Sequence, residues 1–224
     1  CSSDLATGRP AYESVEVQLV EDVAPYEMMK LRLLNASHQA LAYFGHLCGY
    51  RLVHDVAQDP LFARFLLAYM EREATPSLRP VPGIDLVAYR HQLVERFANP
   101  GVRDTVARLA AFTSDRIPKF NLPAVRDDLA VGRDVTLSAA IVASWARYAE
   151  GVDEAGEPIE VVDQMGSELI ARARRWREEP LAFLGVHELF GELVDDERFT
   201  RPYLATLESL HAVGARAKIG RAHV

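Results

Sequence analysis

The chain has 224 residues, 49% hydrophobic and 25% charged, a balance that folds as one large domain or two small ones rather than staying disordered. Its 25 Lys and Arg against 32 Asp and Glu leave a net charge of −7, which argues against nonspecific nucleic-acid binding through a basic face. No apolar run approaches the roughly 18 residues of a membrane span. Two cysteines, Cys1 and Cys48, make no disulfide framework, so a reducing, cytoplasmic compartment is expected.

The sequence starts on Cys1 rather than Met, without a basic-then-apolar leader, which points to a start inside a longer protein. From Val15 to Val20 apolar and polar residues alternate with valine prominent, predicting one short strand. All later segments read as helix and connector. Pro25 suits a first helical turn and Glu27 the positive end of its dipole, and the apolar pattern runs on to about Gly49. Asp59-Pro60 is a cap and first-turn proline for a helix burying Phe62, Phe65, Leu66 and Tyr69. Thr75 to Gly83, with Pro76, Pro80 and Pro82, is a loop. Helices are expected at Asp85 to Ala98 and Val102 to Phe112, and Thr113 to Pro123 reads as a polar connector. The most apolar segment, Leu137 to Tyr148 with Trp145, follows the possible caps Asp134 and Thr136 and predicts a buried central helix. After the acidic Gly/Pro loop Gly151 to Pro158, helices fit Val161 to Trp176 and Thr200 to about Ala215.

The fold class is therefore mainly α. Strand and helix do not alternate, and no Gly-x-Gly-x-x-Gly or Gly-x-x-x-x-Gly-Lys-Ser/Thr run is present, so any nucleotide is expected to be held mostly elsewhere. The first helix carries Lys30, Asn35 and His38. At about 100° per residue, His38 lies about 80° and Asn35 about 140° round from Lys30, one broad face. A base, an amide and an imidazole suit proton removal from an alcohol and stabilisation of its oxygen, and they equally suit a solvated helix face. Arg108, Arg116 and Lys119 form a second basic group, able to bind hydroxyls or a carboxylate or merely to complement a helix C-terminus. His38, His46 and His54, the single Glu208-x-x-His211 and His187-Glu188 lack metal-ligand spacing, so no metal is expected. Asn35-Ala36-Ser37 matches a glycosylation sequon by chance, and Cys48 reads as a small core residue.

The run Val23 to His38, with Lys30-x-x-x-x-Asn35-x-x-His38 in an apolar frame, resembles the signature of the mannitol dehydrogenase family, the polyol-specific long-chain dehydrogenases. Gly8-Arg9-Pro10 resembles the segment joining that family's two domains, and Ser114 to Phe120 with Leu122-Pro123 resembles a later loop. The resemblance extends from Gly8 to Asp163 and more loosely beyond. It implies the multi-helical C-terminal domain of a two-domain dehydrogenase, with the N-terminal Rossmann domain outside this chain and holding NAD or NADP. Lys30 would be the general base, Asn35 and His38 would hold the substrate oxygen, and Arg108 and Arg116 would contact substrate. To act as a base, Lys30 calls for desolvation and neighbouring cations such as Arg116.

The expected activity is interconversion of a sugar alcohol and a ketose. The alternatives are a hexuronate reductase of the fructuronate type and a noncatalytic helical interaction module. Residues 1–20 are expected to form the interdomain linker and short strand, and 21–217 the helical domain. Lys218 to Val224 looks like a translated sequencing adapter, an expected non-native tail.

Overall fold

Helices begin where a side chain can accept the orphan N–H groups of a first turn. The structure, a computed structural model, describes residues 10–15 and 17–221. Helix α1 (Ala24–Met29) has Pro25 in its first turn, with the Ala24 N–H donating to Asp22 at 2.9 Å. It continues through a π-helical turn, Lys30–Asn35, into α2 (Ala36–Leu47), so the long helix expected from Pro25 forms in three contiguous parts. α3 (Val53–Gln58) leads to α4 (Pro60–Tyr69), where Asp59 accepts from the Leu61 N–H at 2.9 Å. A second π turn, Met70–Ala74, and a 3-10 turn, Thr75–Ser77, enter the proline-rich loop. Asp85 caps α5 (Leu86–Phe97) and Thr105 caps α6 (Val106–Ala110). The rest is α7 (Thr113–Phe120), α8 (Leu122–Ala130), α9 (Thr136–Ala149), α10 (Gly166–Ala173), α11 (His187–Phe190) and α12 (Glu197–Arg221).

The predicted central helix is α9, buried at every position from Leu137 to Ala149. It packs against α2, α10 and α12. Trp145 anchors it, with ring centroids of Phe183 at 4.8 Å and Phe190 at 5.9 Å. The caps proposed for it are only part of the answer. Thr136 N–H donates to Asp134 at 3.1 Å, but the buried Glu73 takes the next two N–H groups, those of Leu137 at 2.6 Å and Ser138 at 2.7 Å. A carboxylate at a buried helix N-terminus satisfies both the orphan donors and the dipole. α12 begins three residues before the expected Thr200 and runs beyond Ala215. At Gly214 (φ 82°) the chain turns through the left-handed region, and the freed Ala215 N–H donates to Glu154 at 2.5 Å. Of the expected tail, Lys218 to Arg221 continue α12 with Ile219 buried, and Ala222 to Val224 lie outside the described residues.

Four expectations are corrected. The strand at Val15 to Val20 does not form among the described residues: Tyr12–Val15 is a 3-10 turn and Val17 to Val20 is irregular, with Val15, Val17 and Leu19 exposed. Alternation makes a strand only where a neighbouring strand takes its backbone bonds and a core covers one face. Among the described residues only two isolated bridges exist, Leu52 with Thr105 and Val152 with Pro158. The connector Thr113 to Pro123 is helical, as α7 and α8. Pro123 misleads because it occupies a first turn, where no N–H is needed, whereas Pro118 is carried inside α7. α7 also gains a remote cap: Asp163 accepts from the Ser114 N–H at 2.8 Å and its hydroxyl at 2.6 Å. The helix expected from Val102 starts only at Val106, beyond the Thr105 cap, and that expected from Val161 narrows to α10. Cys1, Gly8 and Arg9 fall outside the described residues.

Candidate active site

The π turn changes the geometry of the first motif. The Ala36 N–H donates to the Leu31 carbonyl, five residues back. In such a turn residues i and i+5 stand one turn apart, whereas on an α-helix they diverge by about 140°. Lys30 and Asn35 are i and i+5, so the widened turn brings both towards the same side. π turns recur at functional sites because the inserted residue re-aims side chains.

An open cleft of about 360 Å³ is lined by Lys30, Asn35 and His38 from this rod, Arg108 and Leu109 from α6, and Arg116 and Phe120 from α7, with Leu34 and Gln39. All five predicted site residues meet there. Lys119 does not: it is exposed and bridges Asp115 at 2.6 Å.

The polar groups differ in how far their bonding is spent. The Lys30 side chain is exposed and makes no ion pair or hydrogen bond among the described residues, so these residues do not supply the desolvation expected of it. Asn35 is half-buried. His38 lies against Phe97, ring centroids 4.8 Å apart, and burial lowers its pKa to about 4. Asp104 opposes that shift, while Arg108, Arg116 and Arg96 add to it. His38 is thus a neutral imidazole near pH 7, free to donate or accept a hydrogen bond.

Arg108 holds Asp104 in a two-point ion pair, its Nε at 2.6 Å from one carboxylate oxygen and its Nη2 on the other. Arg116 donates to the carbonyls of Arg108 at 3.2 Å and Leu109 at 2.9 Å, the acceptor end of α6. It has no carboxylate partner among the described residues. The dipole role weighed from the sequence is thus filled by Arg116.

Several site residues were not singled out in the sequence. Asp104 was readable, since Asp at i and Arg at i+4 pair on adjacent turns. Gln39 is fully buried beside the cleft, its amide donating to Leu109 O at 3.4 Å while its carbonyl accepts from the Tyr43 hydroxyl at 2.5 Å. Asp163, which holds α7 and hence Arg116, lies 49 positions from Ser114 and has no local signal. No group of three His, Cys, Asp or Glu side chains is placed to hold a metal ion among the described residues.

An amine, an amide and a neutral imidazole around one cleft can together remove a proton and hold the oxygen it leaves. The chain matches the mannitol dehydrogenase C-terminal domain over residues 22–211. It belongs to the mannitol dehydrogenase family. Mannitol dehydrogenase DSF1 of Saccharomyces cerevisiae is 39% identical over 218 residues, covering 96% of this chain and 43% of that protein. Mannitol 2-dehydrogenase of Neosartorya fischeri is 39% identical over 209 residues, covering 92% and 42%. Among solved structures, the Pseudomonas fluorescens mannitol 2-dehydrogenase ternary complex with NAD and D-mannitol superposes with a TM-score of 0.89 at 38% identity, covering 96% of this chain and 44% of that one. A D-sorbitol dehydrogenase in substrate-free form superposes with a TM-score of 0.87 at 28% identity. The chain thus spans less than half the length of these mannitol dehydrogenase relatives, and its mainly α fold is that of the family's C-terminal domain.

Proposed function

We propose that this chain is the substrate-binding and catalytic domain of an NAD(P)-dependent polyol 2-dehydrogenase that interconverts a sugar alcohol and a ketose. The observation that carries the reading is the convergence of Lys30, Asn35 and His38 on one cleft, with Arg108 and Arg116 across it. A noncatalytic helical module would not need these five groups on one cleft.

Lys30 takes the hydroxyl proton on its Nζ. Asn35 and the neutral His38 donate hydrogen bonds to the substrate oxygen as negative charge develops on it, and these bonds strengthen towards the transition state. Arg116, fixed through the α6 carbonyls, faces the substrate with its remaining N–H groups. Arg108 reaches the substrate while its charge is balanced by Asp104. The dinucleotide supplies the hydride acceptor. The described residues do not fit its phosphates, since they contain neither a parallel sheet nor a glycine-rich turn between strand and helix. A Rossmann domain of the same protein is the partner that would hold it, and its docking would desolvate the exposed Lys30. NAD is the cofactor bound in the Pseudomonas fluorescens relative, and NAD or NADP is proposed here.

Lys30→Ala in the full-length enzyme should reduce turnover by about 10²–10⁴-fold, the usual contribution of a positioned base, with dinucleotide affinity nearly unchanged. Normal turnover by that variant would remove the base assignment. This chain alone should show no dinucleotide-dependent polyol oxidation. The hexuronate reading draws on Arg116, a guanidinium with no carboxylate partner among the described residues. Steady-state rates on mannitol, arabinitol and fructuronate separate the two.

A further inference from the structure

A second cavity, of about 250 Å³, opens behind His38. It shares Leu34, His38 and Arg108 with the cleft, so the two spaces lie side by side across these residues. At about 30 Å³ per water it has room for roughly eight waters, or for several carbons of a hydroxylated chain. Its apolar side is Leu34, Val53 and Phe97, and its polar side includes His54, Arg96, Asn99 and Asp104.

The polar side has unspent hydrogen-bonding capacity. The Arg96 side chain is exposed and makes no ion pair or hydrogen bond among the described residues. His54 is mostly covered, its Nε2 lies 3.4 Å from Asp55, and its Nδ1 is buried without a hydrogen-bond partner. Such a nitrogen is uncommon in a settled core and calls for a ligand or a water. Asp104 accepts from Arg108 twice and from the Thr105 N–H, yet a carboxylate has about four acceptor sites. The wall thus offers donors in Arg96 and Asn99 and an acceptor in Asp104. That mixture matches hydroxyl groups, which donate and accept, better than a carboxylate, which only accepts. The C–H faces of a polyol can lie on Phe97, following the pattern of an apolar pocket with few orienting polar groups.

We propose that this cavity is the subsite for the far, hydroxyl-bearing end of the substrate chain, and that Arg96 sets the preference for chain length. The proposal rests on the polyol-dehydrogenase reading of the adjoining cleft. The reacting carbon would lie by Lys30, Asn35 and His38, and the chain would pass His38 and Arg108 into the second space.

The test is the steady-state kinetics of the full-length enzyme on mannitol and on erythritol, six and four carbons long, in wild type and Arg96→Ala. The expected result is a rise in KM for mannitol of about tenfold, the loss of one good hydrogen bond to a charged donor, with erythritol kinetics unchanged within twofold. Arg96→Lys should recover part of the mannitol affinity. Equal losses on both substrates, or no loss on either, would overturn the subsite. A wild-type preference for a six-carbon acid that disappears in Arg96→Ala would overturn the hydroxyl assignment. Failure of the wild-type enzyme to oxidise any polyol would instead remove the reading beneath it, and the subsite with it.

Discussion

The cleft and the α9–α12 scaffold behind it are built on opposite terms. In the scaffold the free backbone donors are answered: Glu73 takes the Leu137 and Ser138 N–H groups of α9, and Glu154 takes the one released at Gly214. Its apolar surface is closed around Trp145. The cleft leaves groups unanswered. Among the described residues the Lys30 side chain has no partner and Arg116 has no carboxylate, and the rod beneath them is widened into a π turn. Phe112, between α6 and α7, sits in the left-handed region at φ 54°. Local strain and unspent hydrogen bonds gather at the cleft, and a closed core supports them.

This contrast separates stability from activity. On the cleft side, Lys30→Ala should cut turnover by about 10²–10⁴-fold while moving stability by less than about 0.5 kcal/mol, as for an exposed side chain. On the scaffold side, Trp145→Ala should destabilise this chain by about 3–5 kcal/mol, the range for truncating a large buried aromatic. Urea unfolding would measure it. A loss below about 1 kcal/mol would mean that the scaffold is not the closed core described.

Glu73 sharpens the contrast by pH. Burial pushes its pKa up to about 7, against the opposing pull of its bonds from Ser138 and Leu137. An unfolded glutamate titrates near 4.3. Between those values the folded chain holds a proton that the unfolded chain has lost. Its contribution is therefore fully present below about pH 4 and is lost as pH rises through about 7. Glu73→Gln removes that titration. Between pH 5 and pH 8 the wild type should lose up to about 3 kcal/mol more stability than the variant. Parallel pH profiles would show that Glu73 is no proton-linked support of α9.

Much of this was legible in the sequence, where local chemistry decides the outcome. Asp59 and Asp85 cap the helices they precede, and the unbroken apolar run from Leu137 makes α9. The Lys30, Asn35 and His38 pattern led to the cleft. The π turn was not legible, because Lys30 to Asn35 has the propensities of an ordinary helix and only the bonding offset differs. Nor was the remote partner Asp163, without which Thr113 to Pro123 reads as a loop. The strand at Val15 failed for a related reason: alternation records a possible face but not whether another strand lies alongside.

The smallest expected effect concerns Phe112, where the strain of the cleft is most local. Its N–H donates to Val162 O at 2.8 Å, and its carbonyl accepts from the Asp115 and Arg116 N–H groups, each at 3.3 Å. The left-handed residue thus directs the chain into the helix that carries Arg116. For an L-residue that conformation costs about 1–2 kcal/mol, and glycine is free of the penalty. Phe112→Gly should keep the turn. Its relief of strain is offset by about 0.5–1 kcal/mol of added chain freedom and by lost contacts of a half-exposed ring, so net stability should move by no more than about 1 kcal/mol. Mannitol kinetics of the full-length enzyme should then be retained. Phe112→Val cannot take the same backbone without greater strain, since branching at Cβ crowds a positive φ. It should lower stability by at least about 1 kcal/mol and raise KM by displacing Arg116. A valine variant with wild-type KM and stability would mean that the left-handed residue does not set the placement of α7.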